Sequence, residues 1–407
     1  MTTTTGSIEL LRHERLEYWC DRIKIPAGAV AELEIVRSAL REDGELQQIF
    51  AEFYEQTAVR GEWYRDWSML PMHPNVVERF GEDRASMFYV LAYMAALPNV
   101  EAEYHRRGIS MEIFDATMLD IGIWLERIHA VRGRWYFNQF MWIWRHMELR
   151  IFRLGRLQFC LEPYHGHATA YRHRQSGRYL LLCGVDVPLR ADGHALGAGL
   201  RRGAEPPPES EAWYATFEET DKGWSGNPVH PMGYARREPV FLPKSEWECV
   251  LRRGDWQLEL HIPRGDSMSV EACRDSFRHA ETFFARHCPD RHYRIAHCHT
   301  WFFTPQMQSF VPPESNIVKF QREFYLYPTA GGPEFLWSYV IGENYSMDDL
   351  AAAPRHTALQ RATLGWLENG GELFDMAGMA FHGSEAWGTQ PYMSNPPEEF
   401  AADQEKE

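Results

Sequence analysis

The chain lacks three things that would place it at once. It has no excess of basic charge: 42 Lys and Arg stand against 57 Asp and Glu over 407 residues, a formal net charge of −15. A nucleic-acid footprint needs a basic face, so no nucleic-acid partner is expected and small molecules or proteins are. It has no apolar run of membrane-spanning length, and its opening residues, MTTTTGSIELLRHERLEYW, carry neither a basic n-region nor an apolar h-region. Neither a membrane partner nor a secretory leader is expected. It also has no CxxC pair: seven cysteines are scattered at 20, 160, 183, 249, 273, 288 and 298. An odd, unpatterned set fits reduced thiols and a cytoplasmic location.

What is present divides into two textures. From Ser7 to His146 the hydrophobic spacing is helical, clearest over Ala29–Leu40, Glu45–Gln56, Ala85–Ala96, Val100–Gly108 and Ser110–Val131, with Pro26, Gly44, Pro71, Pro74, Pro98 and Gly108 as punctuation. This reads as one α-helical N-terminal domain over 1–149. From Arg150 strand-like segments take over: Phe152–Leu161, Arg178–Val185, Trp256–Ile262, Tyr293–Thr304, Phe320–Tyr327, Phe335–Gly342 and Leu373–Phe381, with helices at Val270–Arg286 and Thr357–Asn369. The fold class is therefore α+β, with a mixed α/β C-terminal domain over 150–395. The polar stretch 192–240 reads as a surface insertion, and 396–407 as an acidic disordered tail.

One segment is organised for binding. In Trp256–Ile262 the residues Trp256, Leu258, Leu260 and Ile262 alternate with Gln257, Glu259 and His261, so one strand face carries a carboxylate beside an imidazole. Pro263 and Gly265 end that strand and turn the chain. Ser269 can cap the next helix, whose Cys273, Phe277, Ala280 and Phe284 form one stripe. A helix start aimed out of a sheet carries orphan amides and a positive dipole end, which suit a phosphate or pyrophosphate, although Glu271 in its first turn would repel one. The simpler reading is a strand, loop and helix that serve the fold alone.

The blocks FRLGRLQF (152–159), HIPRG (261–265), Cys273 with Ser276, Ala280, Phe283 and Phe284, CHTWFFTP (298–305), PPESNIVKFQ (312–321) and TALQRA (357–362) follow in order along the chain. In them the chain resembles a bacterial family of acyltransferase-domain proteins, which pair an α-helical N-terminal domain with a GNAT-like C-terminal domain. The resemblance implies a central, partly antiparallel sheet. It also implies acyl-CoA, or an acyl group on a carrier-protein pantetheine, as cosubstrate in a wedge between the strands Trp256–Ile262 and Tyr293–Phe303, without metal. The donor contacts it implies are Ile262, Arg264, Gly265, Ser267 and Ser269. Here the sequence departs from the superfamily's Gly-rich pattern, having one glycine and an aspartate, Asp266, between Arg264 and Ser269.

Acyl transfer by direct attack on a thioester needs a base for the amine, or a hydroxyl, and a proton for the leaving thiolate. Glu259 is the base by analogy with the family; His261, with an imidazole of suitable pKa, is the alternative. Tyr325 and Tyr327 are candidates for the proton donor. Trp301, Asn316, Gln321 and Arg361 are candidate substrate contacts, Asn316 and Gln321 from their block, while Ser315 reads as a helix cap. His297 and His299 share a strand face, but no third ligand at a suitable spacing completes a metal set, and Cys298 reads as packing. A small molecule or peptide is the expected acceptor, with an acyl carrier protein as an alternative bearer of the donor. The second reading is a binding or regulatory module that keeps the wedge without catalysis.

Overall fold

Asp43, Ser110, Ser269, Ser315 and Thr357 each stand just before a helical run, and in the computed structural model the side chain of each accepts from a backbone amide of the following turn. Local chemistry thus sets where these helices begin. The structure describes residues 13–203, 208–329, 331, 334–394 and 400. The chain divides into two units, Met1–Leu154 and Gly155–Glu407.

The first unit is built from helices α1 (His13–Arg22), α2 (Ala27–Glu42), α3 (Gly44–Tyr54), α4 (Pro74–Ala95), α5 (Leu97–Arg106), α6 (Met111–Arg132) and α7 (Phe140–Met147). The second half of α4 is buried from Ala85 to Ala95, which explains why it carries no polar stripe. Its path bends at Gly81, where φ is 71°, a value that favours glycine. From the aromatic run, Phe140 packs on Tyr93 and Phe137 with centroids 5.3 and 5.0 Å apart. Among the described residues no helix is long and apolar enough to cross a membrane.

The second unit is organised by strands β1 (Leu157–Pro163), β2 (Trp256–His261), β3 (Ala296–His299), β4 (Tyr325–Pro328) and β5 (Met376–Ala380), ordered β1-β2-β3-β5-β4 in one sheet. Only β2 and β3 run parallel; the other pairings are antiparallel. Helix α8 (Val270–His287) makes the parallel crossover and buries Cys273, Ser276, Phe277, Ala280, Phe283 and Phe284. Phe277 meets Phe159 of β1 at 5.4 Å, and each such phenylalanine contributes roughly 1.5–3 kcal/mol by burial. Two further helices are α9 (Asn316–Gln321) and α10 (Ala358–Glu368). A second, antiparallel sheet joins Pro228–Val229, Tyr179–Leu182, Thr169–His173 and Trp247–Leu251 in that order.

Of the expected strands, Phe152–Leu161 is interrupted by a turn at Gly155 and Arg156 and Leu373–Phe381 by Asp375, and three others differ further. Tyr293–Thr304 is a strand only over Ala296–His299, because the Thr300 hydroxyl accepts from Phe302 N and starts a 3-10 turn, Trp301–Phe303. Trp301 therefore leaves the face that His297 and His299 share. Phe335–Gly342 is helical, since Leu336, Trp337, Val340 and Ile341 are buried at a helical spacing and not an alternating one. Phe320–Tyr327 gives its first residues to α9, and Phe320 packs against Phe324 four residues on, with tilted rings whose centroids are 5.1 Å apart. The stretch 192–240 contributes short strands and the buried residues Trp224, Asn227 and Val229. Of 396–407 all but Phe400 lie outside the described residues; Phe400 is buried with Tyr171, Trp224 and Trp247.

Candidate functional site

The central geometric fact is how briefly β2 and β3 stay together. Their register pairs only Leu258 with Ala296 and Glu259 with His297. Yet β2 stays paired to β1 as far as His261 opposite Gln158, and β3 to β5 as far as His299 opposite Ala377. The parallel strands part beyond Glu259, and a wedge opens between them. Leu258 N donates to Ile295 O at 3.0 Å, so by strand alternation the backbone of Leu260 faces the same side, into the wedge, and Ile262 follows just past the strand end. On the side-chain faces, Glu259, His261, Cys160, Gln158, His297 and His299 share one surface; Leu258, Leu260 and Cys298 share the other.

The polar face is electrostatically graded. His261 Nε2 lies 3.6 Å from Glu259 Oε1, and each side chain is about a quarter exposed. His297 is buried; its Nε2 meets the Tyr327 hydroxyl at 2.9 Å, which receives the Tyr164 hydroxyl at 3.3 Å. Burial pulls the His297 pKa down to about 4, so it is neutral at physiological pH. His299 is more exposed, and its Nε2 pairs with the buried Asp375 carboxylate. Burial alone would lower the His299 pKa, but the bond to Asp375 and its charge outweigh that and raise it. Thr329 Oγ1 also donates to Asp375 Oδ2, at 3.4 Å. This His–Asp pair escaped the sequence reading. The available signal was a lone carboxylate inside the apolar run LFDMAGMA.

At the end of β2 the loop from Pro263 to Ser269 is held from two sides. Arg156 donates from Nε to Asp266 O at 2.6 Å and from Nη1 to Pro263 O at 2.7 Å. Asn316, at the start of α9, donates to Ser267 Oγ at 2.8 Å. Ser269 Oγ accepts from Ala272 N at 3.2 Å and caps α8. Arg264, Gly265, Asp266 and Ser267 stay exposed. Glu271 takes its own amide and the Ser269 hydroxyl, which holds its carboxyl below the usual range. That interaction occupies part of the helix start where an anion would otherwise sit.

The structure therefore brings Glu259, His261, Ile262, the residues from Arg264 to Ser269, and Asn316 into one region. The other candidates are engaged elsewhere. The Tyr325 hydroxyl donates to Val229 O at 2.5 Å, so the tyrosine on the polar network is Tyr327. Gln321 is buried, donating to Phe302 O and Thr304 O at 2.9 and 2.7 Å. Arg361 donates to the carbonyls of Arg355 and His356 at 2.8 and 3.1 Å. Trp301 packs on the apolar cluster that includes Leu336 and Trp337. Burial raises the Cys298 thiol well above its ordinary range, and it lies on the face away from the polar groups.

Comparison with known proteins fits this geometry. The family described as N-acyltransferase N-terminal domain matches residues 14–149, and the family described as GNAT-like C-terminal domain matches residues 151–380. A search of curated proteins found no match. Among solved structures, an acyltransferase mutant in complex with octanoyl-CoA is similar at 20% identity and a TM-score of 0.59, over 91% of this chain and 88% of its own. An acyltransferase in complex with CoA and 10C-teicoplanin gives the same values. A third, with decanoyl-CoA and teicoplanin, is 19% identical with a TM-score of 0.56 over the same shares. At such identities the likeness is one of fold. The parted parallel strands, the crossover helix and the extent of the match lead to one statement: the chain belongs to the family of the GNAT-like C-terminal domain, with an N-acyltransferase N-terminal domain before it.

Proposed function

We propose that this protein moves an acyl group from acyl-CoA, or another pantetheine thioester, to an amine of a small-molecule or peptide acceptor by direct attack. The observation that carries the reading is the wedge between β2 and β3, with a polar side-chain face at its edge. The backbone of Leu260 and Ile262 offers an extended pantetheine arm the pairing that β3 has given up. The fixed loop from Arg264 to Ser269 lies where the diphosphate would follow. Support also comes from the similar solved acyltransferases, which are complexes with octanoyl-CoA, decanoyl-CoA and teicoplanin.

In this reading His261 takes the proton as the amine attacks the thioester carbonyl, and Glu259 stabilises the imidazolium. As the tetrahedral intermediate collapses, the carbon–sulfur bond breaks and the same proton passes to the thiolate. One imidazole serves both steps, and no proton is gained or lost overall. A hydroxyl acceptor or a carrier-protein donor would use the same machinery. Calorimetric titration with acetyl-CoA and decanoyl-CoA tests the reading: saturable binding of at least one is expected, and binding of neither would overturn it. A second reading, a binding module without turnover, is favoured by the single glycine and by Asp266 in the loop. It predicts saturable binding with no thiol release in the presence of any amine.

A further inference from the structure

We infer that Cys160, Glu259 and His261 form a zinc-binding site at the edge of the wedge, and that zinc bound there inhibits acyl transfer. Cys160 stands directly opposite Glu259 in the β1/β2 register and diagonal to His261. The pleat therefore turns all three side chains to one face. One ligand atom from each, a sulfur, a carboxylate oxygen and an imidazole nitrogen, lies within 4.8 Å of the other two. Zinc bonds of about 2.0–2.3 Å place tetrahedral neighbours roughly 3.3–3.8 Å apart. The 3.6 Å between His261 Nε2 and Glu259 Oε1 already falls in that range.

The donor set is a zinc set. Thiolate, imidazole and carboxylate are its usual ligands, and three of them leave a fourth position for water or a thiol. Binding forms a sulfur–zinc bond and releases the Cys160 proton to the buffer. It also takes the lone pair of His261 that the proposed reaction uses, so the inhibitory half of the inference rests on that reading, whereas metal binding does not. A strand pair inside a sheet holds such a tripod more firmly than a loop would.

The test uses the full chain freed of metal, titrated with zinc by calorimetry and with cobalt(II) by absorption. Expected are one zinc per chain and a sulfur-to-cobalt charge-transfer band in the near ultraviolet. Cys160→Ser, a near-isosteric change suited to a buried site, abolishes the band and weakens zinc by roughly tenfold or more; circular dichroism verifies its fold. Absence of stoichiometric zinc, or equal affinity in Cys160→Ser, overturns the site. Zinc that binds but leaves CoA release unchanged overturns the inhibition alone. Failure to find any acyl transfer, with zinc still bound through Cys160, bears on the proposed function and supports the site.

Discussion

At the scale of single residues, the wedge is flanked by two imidazoles in different environments. His261 sits with Glu259 at 3.6 Å, and His299 is tied to buried Asp375. If His261 is the base, His261→Ala lowers kcat by about 10²–10⁴ with little change in KM for the donor. Full turnover in both His261→Ala and Glu259→Gln would remove the assignment. Asp375→Asn deletes the carboxylate that raises the His299 pKa and leaves the burial that lowers it. Its imidazole resonance in NMR should accordingly titrate at lower pH than in the parent protein. His297 makes the opposite case. Its ordinary value is 6.5 and its folded value about 4, so between these the unfolded chain binds a proton that the folded chain refuses. The stability it confers is complete above pH 6.5 and is lost as pH falls toward 4, by up to about 3 kcal/mol. Denaturant unfolding across that range should show the fall, and His297→Gln should reduce it without removing it, because burial also lowers the pKa of His230 to about 4.

At the scale of elements, the loop is positioned by its neighbours as well as by the turn at Gly265, where φ is 154°. Ser269→Ala removes the cap of α8 and should cost about 1 kcal/mol, read as a lower Tm. Asn316→Ala releases Ser267, and calorimetry should find weaker acyl-CoA binding with Tm little altered; unchanged affinity would detach α9 from the donor site. Helix starts were legible in the sequence because capping is a local matter. The boundaries of β3 and the helical nature of 334–341 were not, since apolar and aromatic runs satisfy either period until neighbours choose. The same limit hid the β2/β3 wedge, which depends on where two distant strands stop pairing.

At the scale of the whole molecule, burial controls reactivity. Five of the seven cysteines are buried, and only Cys249 and Cys288 are partly exposed. A thiol reagent should modify at most two groups promptly in the folded protein and seven after denaturation; faster loss of more would contradict the fold. By itself the sequence determined the change from helices to strands near residue 150, the strand–loop–helix from Trp256 to Phe284, and the shared face of Glu259 and His261. Those follow from period, caps and turns, which act within a few residues. Tertiary structure alone decided that β2 and β3 part after Glu259, that Asp375 reaches His299 across 76 positions, and that Cys160 completes a tripod with Glu259 and His261. Each of these depends on strand register between segments far apart in the chain, and local sequence pattern carries no information about that register.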